Sequence, residues 1–298
     1  MAVTWAAEPV EMPGALRYTL IAGDRPTDQW HVSVALPPPS LEVIAGPGPF
    51  PALYLLDGFL TFTATAQIAQ NTLAFSLGQL RPVVIVGITP ATDDSRRLRG
   101  QRVRDLTPTS VAPRYQRGTA TYGTGGAGAM LDLIREVIAP HLESAHPLDP
   151  ADRGLGGFSL GGLFTCWALA HRPDGFRRFL AVSPSLWWDD HLLLDHDRAP
   201  LADRDLSDVY LAVGELEDGP NRSWPTMTAD MRQDLADLDM VADLAAFTAR
   251  LRGVRDIGVR SEVIPDEQHA TVWPGAVTRG LVHLYRTDRD DGGSAVSR

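Results

Sequence analysis

Short apolar runs alternate with amphipathic stretches along this chain. The runs lie at 31–36 (HVSVAL), 52–58 (ALYLLDG), 82–88 (PVVIVGI), 178–184 (RFLAVSP), 208–214 (DVYLAVG) and 259–264 (VRSEVI). Most are dominated by aliphatic residues, and glycine, proline or polar residues close each one, which predicts strands. Between 130 and 142 the apolar residues Met130, Leu133, Ile134, Val137, Ile138 and Leu142 recur at steps of three and four. That spacing lines one face of a helix. Strand-like runs separated by helices predict an α/β fold, a mostly parallel central sheet with helices on both faces. Little helix-like sequence separates the first two runs, so the sheet is expected to start antiparallel. No internal repeat or linker divides the chain. One domain is expected over 1–286, and the polar tail 287–298 (TDRDDGGSAVSR) reads as disordered. In such sheets, sites gather where the carboxyl ends of strands meet loops.

Composition narrows the function classes. Hydrophobic residues make up 44% of the chain and charged residues 21%, which suits a globular protein, and no apolar run is long enough to span a membrane. Glu8 and Glu11 stand where a signal peptide needs a basic start and an apolar core, so a cytoplasmic location is expected. The single cysteine, Cys166, excludes an intrachain disulfide and paired-cysteine metal motifs. It reads as a packed hydrophobe, and no metal or cofactor is expected. A formal net charge of −10 argues against nucleic acid as a partner.

The chemistry centres on 154–170 (GLGGFSLGGLFTCWALA), which contains Gly157-Phe158-Ser159-Leu160-Gly161, the pattern G-x-S-x-G. A serine on a tight strand-to-helix turn presents its hydroxyl clear of the sheet, and the flanking glycines keep side chains from clashing across the turn. The competing reading is a glycine-rich turn with Ser159 as a helix N-cap. A short strand before and a helix-like apolar run after favour the nucleophile elbow. A nucleophilic serine needs a base, and the base an orienter, in the chain order Ser, acid, His. Glu215, Glu217 and Asp218 crowd the end of the run 208–214. Glu217 has the preferred offset; Glu215 and Asp218 stay open. Of the eight histidines, six precede these acids and His283 lies in the last helix-like stretch. His269, in a loop after the run 259–264, is the candidate base. The oxyanion hole is expected from the backbone N–H groups of Leu160 and of Gly58, with Phe59 next. Gly123, Gly125 and Gly128 match G-x-G-x-x-G, but 112–121 does not read as the strand a dinucleotide site requires, so a loop is expected there.

Six segments in order, LYLLDG, RDLTPT, GGFSLGGLFTCWAL, SPSLWWDD, VGELE and EQHATVWPGAVTRGL, resemble the putative-esterase family of the α/β-hydrolases. Within it they are similar to the siderophore trilactone esterases of the enterobactin and salmochelin type. The resemblance implies an α/β-hydrolase fold, Ser159 as nucleophile, His269 as base, and amides of Gly58 and Leu160 at the oxyanion. Some members work with a Ser–His dyad, so the acid stays open. The implied substrate is a small-molecule ester, a siderophore polyester with or without iron or a related aromatic ester. Arg96, Arg97, Arg99, Arg102 and Arg104, expected in a loop after the run 82–88, could hold its anionic groups, with Arg102 and Arg104 the candidates. Trp187 and Trp188 could wall it. The same serine machinery would also serve an acyltransferase, and the same pocket a non-catalytic binding protein.

Overall fold

A computed structural model describes residues 11–22, 25–111, 122–197, 208–218, 238–253 and 258–287. The strands are β1 (Ala15–Ala22), β2 (Arg25–Ala35), β3 (Phe50–Leu56), β4 (Val84–Pro90), β5 (Leu148–Phe158), β6 (Arg178–Val182), β7 (Asp208–Gly214) and β8 (Gly258–Ile264). They form one sheet in the order β1-β2-β4-β3-β5-β6-β7-β8. β2 runs antiparallel to both β1 and β4, and every other pairing is parallel. The antiparallel start is as expected, but β2 pairs with β4, not with the next run in sequence. Strand β1 was not among the predicted runs.

The helices are α1 (Gly58–Phe75) and α2 (Ser95–Leu106), then α3, built from Ala127–Asp132, a π stretch Leu133–Ile138 and Ala139–Ala145. They continue with α4 (Leu160–His171), α5 (Met240–Arg252) and α6 (Val272–Leu284). Alternation along the strands sends side chains to opposite faces of the sheet. Tyr54 and Leu56 of β3, with Leu211 and Val213 of β7, join the core beneath α2, α3, α4 and α5. Leu53 and Leu55, with Tyr210 and Ala212, join the core beneath α1 and α6. All of β3 is buried, which explains why it reads as a continuous apolar run rather than an alternating one.

The arginine-rich segment 95–106 is helix α2, not the loop its composition suggested. Asp94 accepts hydrogen bonds from the Arg96 and Arg97 N–H groups and caps it, and arginine is a good helix former. Among the described residues no helix is long and apolar enough to cross a membrane, and no group of three or more His, Cys, Asp or Glu could hold a metal. The chain reaches Thr287, whose N–H donates to the Gln79 carbonyl at 2.9 Å; the rest of the expected disordered tail lies outside the described residues, as does 112–121.

Candidate active site

The chain leaves β5 at Phe158 and turns into α4 through Ser159, which holds φ 59° and ψ −116°. A non-glycine residue rarely adopts this backbone, and such strain collects at functional sites. The turn closes because Gly157 has no side chain: a Cβ there would lie 2.5 Å from the Gly161 carbonyl. Ser159 stands at the N-cap position yet its side chain makes no capping bond, so the hydroxyl is not spent on the helix. The backbone is pinned instead. Ser159 N–H donates to Val182 O at 3.1 Å, and Ser159 O accepts from the Leu163 and Ser185 N–H groups.

His269 lies between β8 and α6. Its Nδ1 is 2.6 Å from Glu217 Oε2, and its ring packs 4.5 Å, centroid to centroid, from Phe158, the residue before Ser159. Glu217 sits in the 3-10 turn Glu215–Glu217 after β7 and is 1% exposed. Its Oε1 accepts from Ser183 Oγ at 2.5 Å and from the Gly214 N–H at 2.9 Å. Burial pushes the Glu217 carboxyl up, but the hydrogen bonds from His269, Ser183 and Gly214 outweigh it and hold it below the ordinary glutamate value. An ionised carboxylate only accepts, so His269 Nδ1 donates the hydrogen of this bond, and Nε2 is the ring nitrogen left for other chemistry. The two loops meet because Gly214 lacks a side chain, which would collide with the Glu267 carbonyl, and because Leu216 N–H donates to that carbonyl at 2.9 Å.

Of the three carboxylates left open by the sequence, Glu217 is the one on His269. Glu215 accepts from the Asp266 N–H at 3.0 Å, and Asp218 forms the C-cap of the turn. Gly58 opens α1 and Leu160 opens α4, where N–H groups have no carbonyl within their own helix and the helix dipole favours negative charge. A Cβ on Gly58 would fall 2.7 Å from Thr89 Oγ1 and 2.8 Å from the Gly87 carbonyl carbon, so the turn after β3 can press against β4 only with glycine there.

The proposed substrate contacts fare differently. Arg102 holds Asp57 in a two-pronged pair, Nε to Oδ1 at 2.7 Å and Nη2 to Oδ2 at 2.8 Å. Arg104 is tied to Asp105 at 2.7 Å and to Asp28 at 2.9 Å. Both are thus paired with carboxylates, Asp57 and Asp28 far away in the chain and Asp105 beside Arg104. Trp188 is 2% exposed and its Nε1 donates to Thr109 Oγ1 at 2.9 Å, so it is a core residue and not a pocket wall. Trp187 is half-buried against the same core. Cys166 is fully buried and burial pushes its thiol up, which leaves it unsuited to nucleophilic work. His283 is half-buried in α6, and burial pushes it down. Gly123 and Gly125 take positive φ in a loop, with the Gly125 N–H donating to Thr107 Oγ1 at 2.9 Å. Two residues escaped the sequence reading: Ser183 and Asp57. Each is a polar residue directly after a buried strand, β3 or β6, the two strands that flank β5, and that placement is the available signal.

A family model described as "Putative esterase" matches residues 24–251. The chain is 31% identical over 302 residues to the siderophore enterobactin esterase of Emericella nidulans, covering 94% of this chain and 97% of that protein. It is 28% identical over 293 residues to the siderophore triacetylfusarinine C esterase of Aspergillus fumigatus, covering 93% and 95%. Among solved structures, siderophore hydrolase EstB from Aspergillus nidulans matches with a TM-score of 0.77 at 24% identity, covering 94% of this chain and 98% of that one. That likeness and the strand order give the α/β-hydrolase fold.

Proposed function

The chain belongs to the Putative esterase family, and from that premise we propose that it is a serine-dependent carboxylic ester hydrolase acting on a siderophore trilactone or a related aromatic ester or polyester. The observation that carries the reading is the 2.6 Å bond from His269 to the buried Glu217, beside the strained Ser159 turn. It holds the imidazole by its Nδ1–H, so that Nε2 is the nitrogen available to act as the base. In this mechanism Nε2 takes the Ser159 proton as Oγ attacks the ester carbonyl. The developing oxyanion is met by the Gly58 and Leu160 amides. The imidazolium then gives its proton to the departing alkoxide, leaving an acyl-serine. Water, deprotonated by the same nitrogen, cleaves that acyl group and restores the hydroxyl.

The substrate class is supported by the relatives, whose names are those of siderophore esterases. Ser159→Ala tests the mechanism. It should lower kcat by about 10⁴- to 10⁶-fold and remove labelling by a fluorophosphonate; full activity would overturn it. Trilactone siderophores, with and without iron, assayed beside simple aryl esters test the substrate. Turnover of aryl esters alone would remove the siderophore assignment and leave the esterase. Adding alcohol acceptors to the same assay separates hydrolysis from acyl transfer by product.

A further inference from the structure

Asp57 stands between the two turns that carry the proposed oxyanion amides. It follows β3, directly precedes Gly58, and adopts a left-handed backbone at φ 57° and ψ 42°. The residue is 3% exposed, and a carboxylate so far from water persists only when it is paired. Its partner is Arg102 of α2, whose planar fork grips both carboxylate oxygens, at 2.7 and 2.8 Å. On another side the carboxylate rests on the first turn of α4: a Cβ on Gly161, the residue after Leu160, would lie 3.3 Å from Asp57 Oδ2. Asp57 occupies the N-cap position of α1, yet its side chain caps nothing there. The side chain is turned away from its own helix toward α2 and α4.

Two physical consequences follow. The first is position. The turn holding the Gly58 amide and the turn holding the Leu160 amide belong to different strands, and the Asp57 carboxylate, held by Arg102, lies next to Gly161 in the second. The second is charge. An unpaired carboxylate one residue from Gly58 would repel the negative oxygen that the amide must stabilise, and in a buried site that repulsion is poorly screened.

We propose that Arg102 and Asp57 are a positioning pair for the oxyanion hole. Arg102 acts through Asp57, bracing the Gly58 turn against α4 and cancelling the carboxylate's field, and does not grip the anionic groups of the substrate. The proposal rests on the serine esterase reading given above.

The test uses wild type, Arg102→Met, Asp57→Asn and the double variant, each checked for fold by circular dichroism. Each is assayed on a neutral aryl acetate and on a sulfonated aryl acetate. Arg102→Met should lower kcat about 100-fold on both esters, the scale of a lost oxyanion donor, with KM within about threefold. Fluorophosphonate inactivation should slow in parallel. Adding Asp57→Asn should restore kcat about tenfold, because the orphaned charge is gone and paired residues do not add. A KM rise confined to the sulfonated ester would overturn the proposal in favour of a substrate contact, and so would a double variant no faster than Arg102→Met. If Arg102→Met does not fold, Arg102→Lys keeps the charge and loses the fork. It should still lose kcat on both esters at unchanged KM, and unchanged kcat would overturn the bracing role. Failure of wild type to react with the fluorophosphonate would instead remove the esterase reading itself.

Discussion

Under the serine esterase proposal, Glu217 has two jobs, and they separate by pH. As the orienter of His269 it should be needed at neutral pH: Glu217→Gln is expected to lower kcat by about 10²- to 10⁴-fold, as loss of a triad carboxylate does elsewhere. Glu215→Gln, which loses only a bond from the exposed Asp266 N–H, should stay within about twofold on the same assay, since surface polar contacts contribute little. The second job is stability. The folded pKa of Glu217 is held below its unfolded value, so its contribution is full above the unfolded value and disappears as the pH falls through the folded one. Urea melts should show the gap between wild type and Glu217→Gln closing below about pH 4; a gap unchanged down to pH 3 would contradict this. At this scale the Ser159 turn and the Glu217–His269 contact were legible because the proposed serine chemistry requires an order along the chain and a place at strand ends. Arg102, Arg104 and Trp188 were not. Their residue types suggest a ligand, but what decides their role is a partner such as Asp57, 45 residues away in the chain, and no local pattern reveals it.

Helix α4 shows how an element can be ruled by packing against its own propensity. It is buried nearly all round and carries Gly161 and Gly162 in its first turn, where alanine would favour helix by about 1 kcal/mol. At Gly162, however, a Cβ would lie 2.9 Å from Pro184 Cα and 3.0 Å from Val182 O, both backbone atoms that cannot turn aside. Gly162→Ala should therefore destabilise the fold by about 1–3 kcal/mol, read as a lower urea midpoint; a raised midpoint would show that propensity wins. The same contest explains what the hydrophobic pattern revealed among elements. β3 and β7 were plain because both of their faces are buried. β1 was missed because it is an edge strand with Leu16 and Ile21 exposed. α2 was mistaken for a loop because its arginines obscure the short buried face of Gly100, Val103 and Leu106. In α3 the three-and-four spacing identified a helix but could not show that Leu133–Ile138 widens into a π stretch.

At the scale of the molecule, the strand order brings the carboxyl ends of β3, β5, β6, β7 and β8 side by side, and Asp57, Ser159, Ser183, Glu217 and His269 all follow those ends. A parallel arrangement was readable from alternating strands and helices; which strands neighbour one another was not, because pairing is decided by contacts far apart in sequence. Cys166 lies two turns into α4 behind this row, fully buried and the chain's single cysteine. A thiol so placed can meet a reagent only when α4 lifts from the sheet, and that motion also dismantles the Ser159 turn. Alkylation of the native protein should therefore be slow, and in rising urea its rate should climb with loss of activity; rapid labelling of fully active protein would contradict this. The enzyme thus carries its own alarm, one sulfur whose silence certifies that the serine is still in place.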